Sequence, residues 1–384
     1  MDFYIYRLGD LFRRFSSGKN LTSEKISPEG VYPVYGGNGL RGYTTEYDFD
    51  GECIIIGRQG AKCGNIHYFN GKGYMTDHAI VGVSKKEHDS RFLSYALTAL
   101  DLNRLSGQAA QPGLAVSMLK KQKIQLPSSK NQFKIAEIIS VYDKLIENNN
   151  KRVKLLEQMA ENLYKEWFVR FRFPGYENEH FIEDIPSSWS YVQLGDIASF
   201  GRGISYSSDE INCNEGINLI NLKNIQSYGG FRRDATKQYN GKYKDSQIVA
   251  AGELILGITD MTQDRRTVGS VALIPQISGI SAISADLVKV SLKVPNVFFY
   301  CMCRYGFYSK YFSQFANGAN VLHLKPNVLL NKKILLPTAK LIEAFTEKVQ
   351  PMIDIVDDLN RQNDLLTKQR DMLLPRLMSG KLEV

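Results

Sequence analysis

The chain has 384 residues and lacks much of what an enzyme's sequence normally advertises. Its five histidines are scattered, and none begins a recognisable nucleophile–base set. None of its Gly-Lys pairs is followed by Ser or Thr, which excludes a phosphate-binding P-loop. Neither Glu-x-Lys nor Asp-x-Lys, common in metal-dependent nuclease cores, occurs. There is no Pro-Pro, so the Asn/Asp-Pro-Pro-aromatic tetrapeptide expected of an amino-methyltransferase is missing. The five cysteines (53, 63, 213, 301, 303) are odd in number and without paired spacing, which argues against a disulfide framework. Cys301-x-Cys303 has no second pair and no nearby histidine, so zinc is not expected, and buried thiols in a reducing compartment are. No apolar run approaches the roughly 18 residues of a membrane span. The opening Met1-Asp2-Phe3-Tyr4-Ile5-Tyr6-Arg7 does not have the layout of a signal peptide, and a cytoplasmic location is expected.

What the chain has instead is a statement made twice. Leu8-Gly9-Asp10 returns as Leu194-Gly195-Asp196, 186 residues later. Gly51-Glu52-Cys53-Ile54-Ile55-Ile56-Gly57 returns as Gly252-Glu253-Leu254-Ile255-Leu256-Gly257. Met118–Pro127 returns as Val328–Pro337 at an offset of 210, and Leu155-Leu156 keeps that offset at Leu365-Leu366. The period is far too long for a solenoid and reads as a duplicated domain plus connector. The growing offset means that the two copies carry loops of different length.

Apolar content of 43% and charged content of 23% are those of a soluble globular protein with two ordinary cores. The net charge of +8 sits in the globular copies. Residues 1–127 hold 16 basic against 12 acidic side chains, and residues 191–337 hold 16 against 10. Basic globular units suit a polyanion, because Lys and Arg gain by displacing phosphate counterions.

Each copy reads as mixed α and β. Cys53–Ile56, Ala79–Val83, Glu253–Leu256 and Asp286–Val290 are predicted strands, and Arg91–Leu100 and Val297–Tyr305 short helices. The connectors differ. From about Ser129 to Phe171 there is no Gly or Pro, and apolar residues recur on a heptad. The first stripe is Ile135, Ile139, Tyr142, Ile146, Val153, Leu156, Ala160, Leu163 and Trp167. The second is Phe345, Val349, Met352, Val356, Leu359, Leu366, Leu373 and Leu377. Asn149 and Asn363 interrupt these seams and would fix register. The core face of an ordinary helix bundle would show the same stripe. A kink or break is expected at Pro351. Residues 172–189, with Pro174-Gly175 and Pro186, form the joint between copies.

Gly37-Asn38-Gly39-Leu40-Arg41-Gly42 contains G-x-G-x-x-G, but the following Tyr43–Tyr47 is poor helix, so a tight glycine loop is expected there, not a nucleotide cradle. Loops suited to DNA are clearer. Gly57-Arg58-Gln59-Gly60-Ala61-Lys62-Cys63-Gly64 follows a buried strand; glycines let backbone approach phosphates, and Arg and Gln read guanine and adenine edges. Its counterpart is Gly257–Gly269, with Arg265 and Arg266. Ser106–Gly113 likewise matches Asn317–Pro326. The candidate DNA contacts are therefore Arg41, Arg58, Lys62, Gln108 and Gln111 in the first copy. In the second they are Arg202, Lys223, Arg265, Arg266, His323 and Lys325.

These residues, taken in order, resemble the specificity subunits of type I restriction–modification systems along essentially the whole chain. The resemblance rests on the paired Leu-Gly-Asp openings, Tyr32-Pro33-Val34-Tyr35-Gly36-Gly37-Asn38-Gly39 and Gly57-Arg58-Gln59-Gly60. It rests further on Leu322-His323-Leu324-Lys325, Asp143–Asn150 leading to Leu163–Phe168, and Leu374–Leu382. It implies an α+β architecture of two target-recognition domains (1–127 and 191–337), each reading half of a split, asymmetric DNA site. Two helical spacers (128–173 and 338–384), with a joint at 174–190, would pair antiparallel as a coiled-coil ruler with pseudo-twofold symmetry. Ile139, Ile146, Asn149, Leu156 and Leu163 would meet Val356, Leu359, Asn363, Leu366 and Leu373 along its seam. The resemblance also implies two modification subunits carrying S-adenosylmethionine and the adenine chemistry, and restriction subunits adding ATP- and Mg-dependent translocation and cleavage. The chain itself is then expected to be non-catalytic and to bind no cofactor. A self-sufficient methyltransferase using Gly36–Gly42 and a stand-alone DNA-binding regulator are the alternatives.

Overall fold

The computed structural model describes residues 2–60, 62–106, 113–211 and 215–383. The fold is mixed helix and sheet, and the chain divides into two compact units. The first comprises residues 1–148 and 363–384, the second residues 149–362.

In the first unit the strands are β1 (Phe3–Arg7), β2 (Phe12–Ser17), β3 (Tyr32–Gly36), β4 (Gly39–Thr44), β5 (Phe49–Gly57), β6 (Ile66–Met75), β7 (Ala79–Ser84) and β8 (Lys123–Pro127). Its helices are α1 (Leu8–Leu11), α2 (Ser90–Ala99), α3 (Val116–Lys121) and the start of α4 (Ser129–Tyr164). Six strands form one sheet in the order β2-β7-β5-β6-β3-β4, and β1 pairs antiparallel with β8. Cys53-Ile54-Ile55-Ile56 is apolar throughout because β5 is central and covered on both faces. Ile54 and Ile56 face one cluster with Phe92, Leu93 and Leu97 of α2; Cys53 and Ile55 face the other with Met75 and Val81. Asp89 caps α2 by accepting a hydrogen bond from the Phe92 amide at 2.7 Å.

The second unit repeats this plan with additions. Two small strands, β9 (Phe181–Ile182) and β10 (Ile185–Pro186), occupy the expected joint. Then follow β11 (Ser190–Gln193), α5 (Leu194–Ile197), β12 (Ala198–Arg202), β13 (Ile217–Ile220), β14 (Lys237–Tyr239), β15 (Ile248–Val249), β16 (Leu254–Gly257), β17 (Thr259–Asp260), β18 (Val271–Leu273), β19 (Ser281–Ile283) and β20 (Leu287–Leu292). The chain continues through α6 (Asn296–Tyr305), α7 (Tyr308–Ser313), β21 (Leu322–His323), α8 (Pro326–Leu330), β22 (Lys333–Leu336) and α9 (Ala339–Met378). The sheets are β12-β20-β16-β18 and β14-β13-β19-β15. Strand β16 plays the part of β5, with Leu254 and Leu256 in one cluster and Ile255 in another.

The heptad reading is visible in burial. None of the seam residues Ile139, Ile146, Asn149, Leu156, Leu163, Val356, Leu359, Asn363, Leu366 and Leu373 is exposed. Their neighbours Leu155 and Leu365 are, at 59% and 56%. Within the first unit Arg370 of α9 donates to Asp143 of α4 at 2.8 Å, and the Tyr95 hydroxyl of α2 donates to the other oxygen of the same carboxylate. Within the second, Arg304 of α6 donates to Glu157 of α4 at 2.8 Å, while Arg233 donates to Asp357 of α9 at 2.9 Å. In the first unit Asp143 thus joins α9 and the globular part to α4, and in the second charged contacts tie the globular part to both helix segments.

Two expectations change. The break expected at Pro351 does not occur: α9 runs on through it. Pro351 lies on the exposed face, while Phe345 and Val349 are fully buried, so packing on the inner face outweighs one missing backbone bond. The first long helix ends not in regular α geometry but in a π turn, Lys165–Val169. The wider turn lets adjacent Trp167 and Phe168 both enter the core of the second unit, where Phe345 is ringed by Tyr164, Trp167, Phe168 and Phe298.

Replacing Phe345 with Ala removes the centre of that aromatic group and should destabilise the second unit by about 3–5 kcal/mol. Leu365→Ala, on the exposed face, should change stability by less than about 0.5 kcal/mol. Denaturant unfolding of the two variants checks the contrast.

Candidate nucleic-acid interface

Both units build one loop frame where the central strand ends. The Gly57 amide donates to Asn65 O at 2.8 Å, and the Gly257 amide to Ser270 O at 2.9 Å. Gly64 closes the first loop by donating to Gly57 O, and Gly269 closes the second by donating to Gly257 O, both at 2.8 Å. Both closing glycines have positive φ, 86° and 78°. A Cβ at Gly64 would lie 2.5 Å from the Asn103 nitrogen, and one at Gly269 would lie 2.7 Å from the Ser313 nitrogen, so only glycine fits. The next residue is held alike: Arg58 N donates to His78 O and Ile258 N to Asp286 O, both at 2.9 Å. In return Arg58 O accepts from Leu114 N at 2.9 Å and Ile258 O from Leu324 N at 2.8 Å. Three segments thus converge in each unit by the same backbone bonds.

The candidate residues fall around these frames. In the first unit, Arg58 is half-buried and its guanidinium donates to Asp77 O at 3.3 Å, while Lys62 is exposed on the loop. Gly36–Gly42 is the β3–β4 hairpin, with Gly36 opposite Gly39 and no helix after it. Arg41 packs its side chain over Gly36, and Gly37 lies against the carbonyls of Gln59 and His78. This brings Arg41 and Arg58 to one end of the sheet. Gln108 and Gln111 lie outside the described residues.

In the second unit, Arg202 ends β12 opposite Val288, beside the end of β16. Exposed Lys223 follows Asn221, whose side chain accepts from the Lys223 amide at 3.0 Å. His323 pairs with Thr259 across β17–β21, and Lys325 immediately precedes α8; both are exposed. Arg265 sits at φ 54°, a conformation L residues rarely adopt, and donates to Ser313 O at 3.1 Å. Arg266 pairs with Asp264 at 2.6 Å.

The hub of the second frame is a residue the sequence reading did not single out. Asp260 is 3% exposed. One carboxylate oxygen accepts from the Thr262 amide (2.8 Å) and hydroxyl (2.9 Å), and the other from the Thr267 amide (2.7 Å). Burial on its own would raise the pKa; the bonds from Thr267 and Thr262 outweigh it and hold Asp260 at about 2. The signal was present as Asp-x-Thr, the spacing at which an aspartate caps the amide two residues on. Also unanticipated are Tyr228, at φ 64° with its amide donating to Arg266 O, and exposed His78. Four of the five thiols match expectation: Cys53, Cys63, Cys301 and Cys303 are free and buried, burial pushing Cys53 up to about 12 and Cys301 and Cys303 upward as well, while Cys213 lies outside the described residues.

The same loop frame thus stands at the end of the central strand in each unit of a duplicated α+β chain. Residues 1–158 match the family model of the type I restriction modification DNA specificity domain. The chain belongs to the family of type I restriction–modification specificity subunits. It is 30% identical over 303 residues to the MjaIX specificity subunit of Methanocaldococcus jannaschii, an alignment spanning 74% of this chain and 66% of that protein. It is 35% identical over 159 residues to the EcoprrI specificity subunit of Escherichia coli, spanning 40% of this chain and 39% of that one. In fold it is similar to the type I S subunit of M. genitalium, with a TM-score of 0.66 over 98% of this chain and 96% of that one at 17% identity.

Because Asp260 has a depressed pKa, its contribution is fully present above about pH 4 and is lost as pH falls toward 2; a shift of this size corresponds to about 2 kcal/mol. Protection of the Thr262 and Thr267 amides against hydrogen exchange should persist from neutral pH to about 4 and then decline. Asp260→Asn should lose that protection already at neutral pH.

Proposed function

We propose that this chain is the DNA-reading, non-catalytic subunit of a type I restriction–modification complex. The observation that carries this reading is the loop frame built twice, with the same backbone bonds and different side chains. One frame repeated suits one task performed twice; different contents suit two different half-sites. Arg41, Arg58 and Lys62, with Gln108 and Gln111, contact the first half-site. Arg202, Lys223, Arg265, Arg266, His323 and Lys325 contact the second. Phosphate contacts set register, and base-edge contacts set sequence.

The domains extend over 1–127 and 191–337, and 128–173 and 338–384 form an antiparallel coiled-coil spacer with the joint at 174–190. Within the first unit Asp143 meets Arg370 while Ile135 and Ile139 share a cluster with Leu377, which supports antiparallel pairing, since one number falls as the other rises. The 36 residues of α4 and 40 of α9 amount to about 54 and 60 Å at 1.5 Å per residue. Two modification subunits dock on this scaffold and bring S-adenosylmethionine; restriction subunits bring ATP and Mg. The target adenines are flipped into the partners, because a stacked base is out of their reach. The chain itself binds no cofactor.

The test is of the spacer. Four residues inserted between Asn150 and Lys151 lengthen the helix by about 6 Å. At about 3.4 Å per base pair, the gap between half-sites should grow by one or two base pairs with both half-sites unchanged. Mapping methylated adenines in a host carrying the insertion and the partner subunits reads this out. An unchanged gap with methylation retained rules the spacer role out. Exchanging residues 191–337 for those of a relative should alter one half-site only, in the same assay.

A further inference from the structure

The second frame closes over five more residues than the first: Gly257 to Gly269 against Gly57 to Gly64. Where Gly60 stands in the first copy, at φ 87° with open space at its Cβ position, the second has buried Asp260. The correspondence follows from the shared bonds of Arg58 and Ile258. The carboxylate turns the longer loop into a fixed object.

Most polar side chains on that object make a bond within the protein. Thr262 donates to Asp260, and Thr267 donates to Thr259 O at 3.3 Å. Gln263 donates to Ala319 O at 2.7 Å. Arg265 donates to Ser313 O, and Arg266 is paired with Asp264. Met261 has no polar group to spend and stands out from the loop at 72% exposure, more than any other large apolar side chain among the described residues. Isolated exposed apolar residues are ordinary on surfaces. A thioether projected from a loop fixed at both ends, amid candidate DNA contacts, is not an incidental surface position, because the loop's rigidity presents it at one place.

We propose that Met261 reads a thymine 5-methyl group in the half-site of the second domain, with Asp260 as the positioning residue that holds it there. This rests on the DNA-reading function proposed above. The chemistry is that of the major groove, where thymine is the one base offering a methyl group, and apolar side chains distinguish it by contact. Thr262, Gln263 and Thr267 then serve mainly to shape the loop, Arg265 and Arg266 keep further N–H groups for the DNA, and the apolar tip adds the reading of a methyl group.

The experiment uses the assembled complex of this chain with its modification subunits, and duplexes in which each thymine of the second half-site is replaced singly by deoxyuridine. For the unaltered chain, one replacement should weaken binding about fourfold, the worth of one methyl group removed from an apolar contact, and the others should have no effect. Met261→Ala should bind the parent duplex correspondingly more weakly and lose its response to that one replacement. Met261→Leu should keep it. Asp260→Asn should lose the response with Met261 present, while the first half-site and the salt dependence stay as they were, which a general loss of folding would not do. If Met261→Ala binds every duplex as the parent does, or weakens all of them alike and still responds to the deoxyuridine, the proposal is overturned. A second half-site whose thymines can all be replaced without effect overturns it as well. Failure of the unaltered complex to select a two-part site would appear before any substitution and would count against the function itself.

Discussion

The exit of the central strand is the constraint on which the rest depends. Strands β5 and β16 are covered on both faces, so the backbone that leaves them cannot rely on water and must find protein partners. It finds the same ones in both units: a closing glycine, a carbonyl from the turn before the next strand (His78 or Asp286), and the amide that precedes the last short helix (Leu114 or Leu324). These bonds draw three segments to one end of each sheet. Side chains there are free to change, because the frame is made by backbone and by glycines that nothing can replace.

The second feature is economy in anchoring. Each unit holds a segment of α4 and a segment of α9, and grips them with half-buried charged pairs. Asp143 serves both Arg370 and Tyr95, and Asp357 serves both Arg233 and the Gln276 amide. A carboxylate sharing two donors from different elements ties three pieces of chain together, and loss of either donor leaves a charge short of partners. A globular part tied in this way is held against the helix segments of its own unit.

Divergence between the copies is concentrated where the frame allows it. The first loop returns over a few residues with glycine at position 60; the second is longer and is wound around Asp260. The carboxylate substitutes for the missing regular structure by accepting the amides that a five-residue insertion would otherwise leave unpaired. Sequence reading placed Arg265 and Arg266 in this loop as candidate DNA contacts. In the structure the first also donates to Ser313 O and the second is paired with Asp264, because the loop curls back far enough to meet α7 and itself.

Much was legible before the fold was known. The duplication, the central strands and the short helices α2 and α6 followed from repeats and periodicity, since burial on two faces or one leaves a pattern in one dimension. So did the sheltered stripe of each long helix: Leu156 and Leu366 are sheltered where Leu155 and Leu365 are exposed. The second sheet of the second unit, β14-β13-β19-β15, was not legible, because its strands are two to four residues long and pair across large separations. Nor could sequence decide the continuity of α9 through Pro351, which depends on what Phe345 and Val349 pack against. The tertiary structure alone decided which charged side chains stay in solvent and which are drawn to a carbonyl or a carboxylate, because a side chain's partner is set by loops that meet in space and not by its neighbours in the chain. Arg58 and Lys62 are four residues apart in one loop; only the fold turns the first toward Asp77 O and leaves the second exposed.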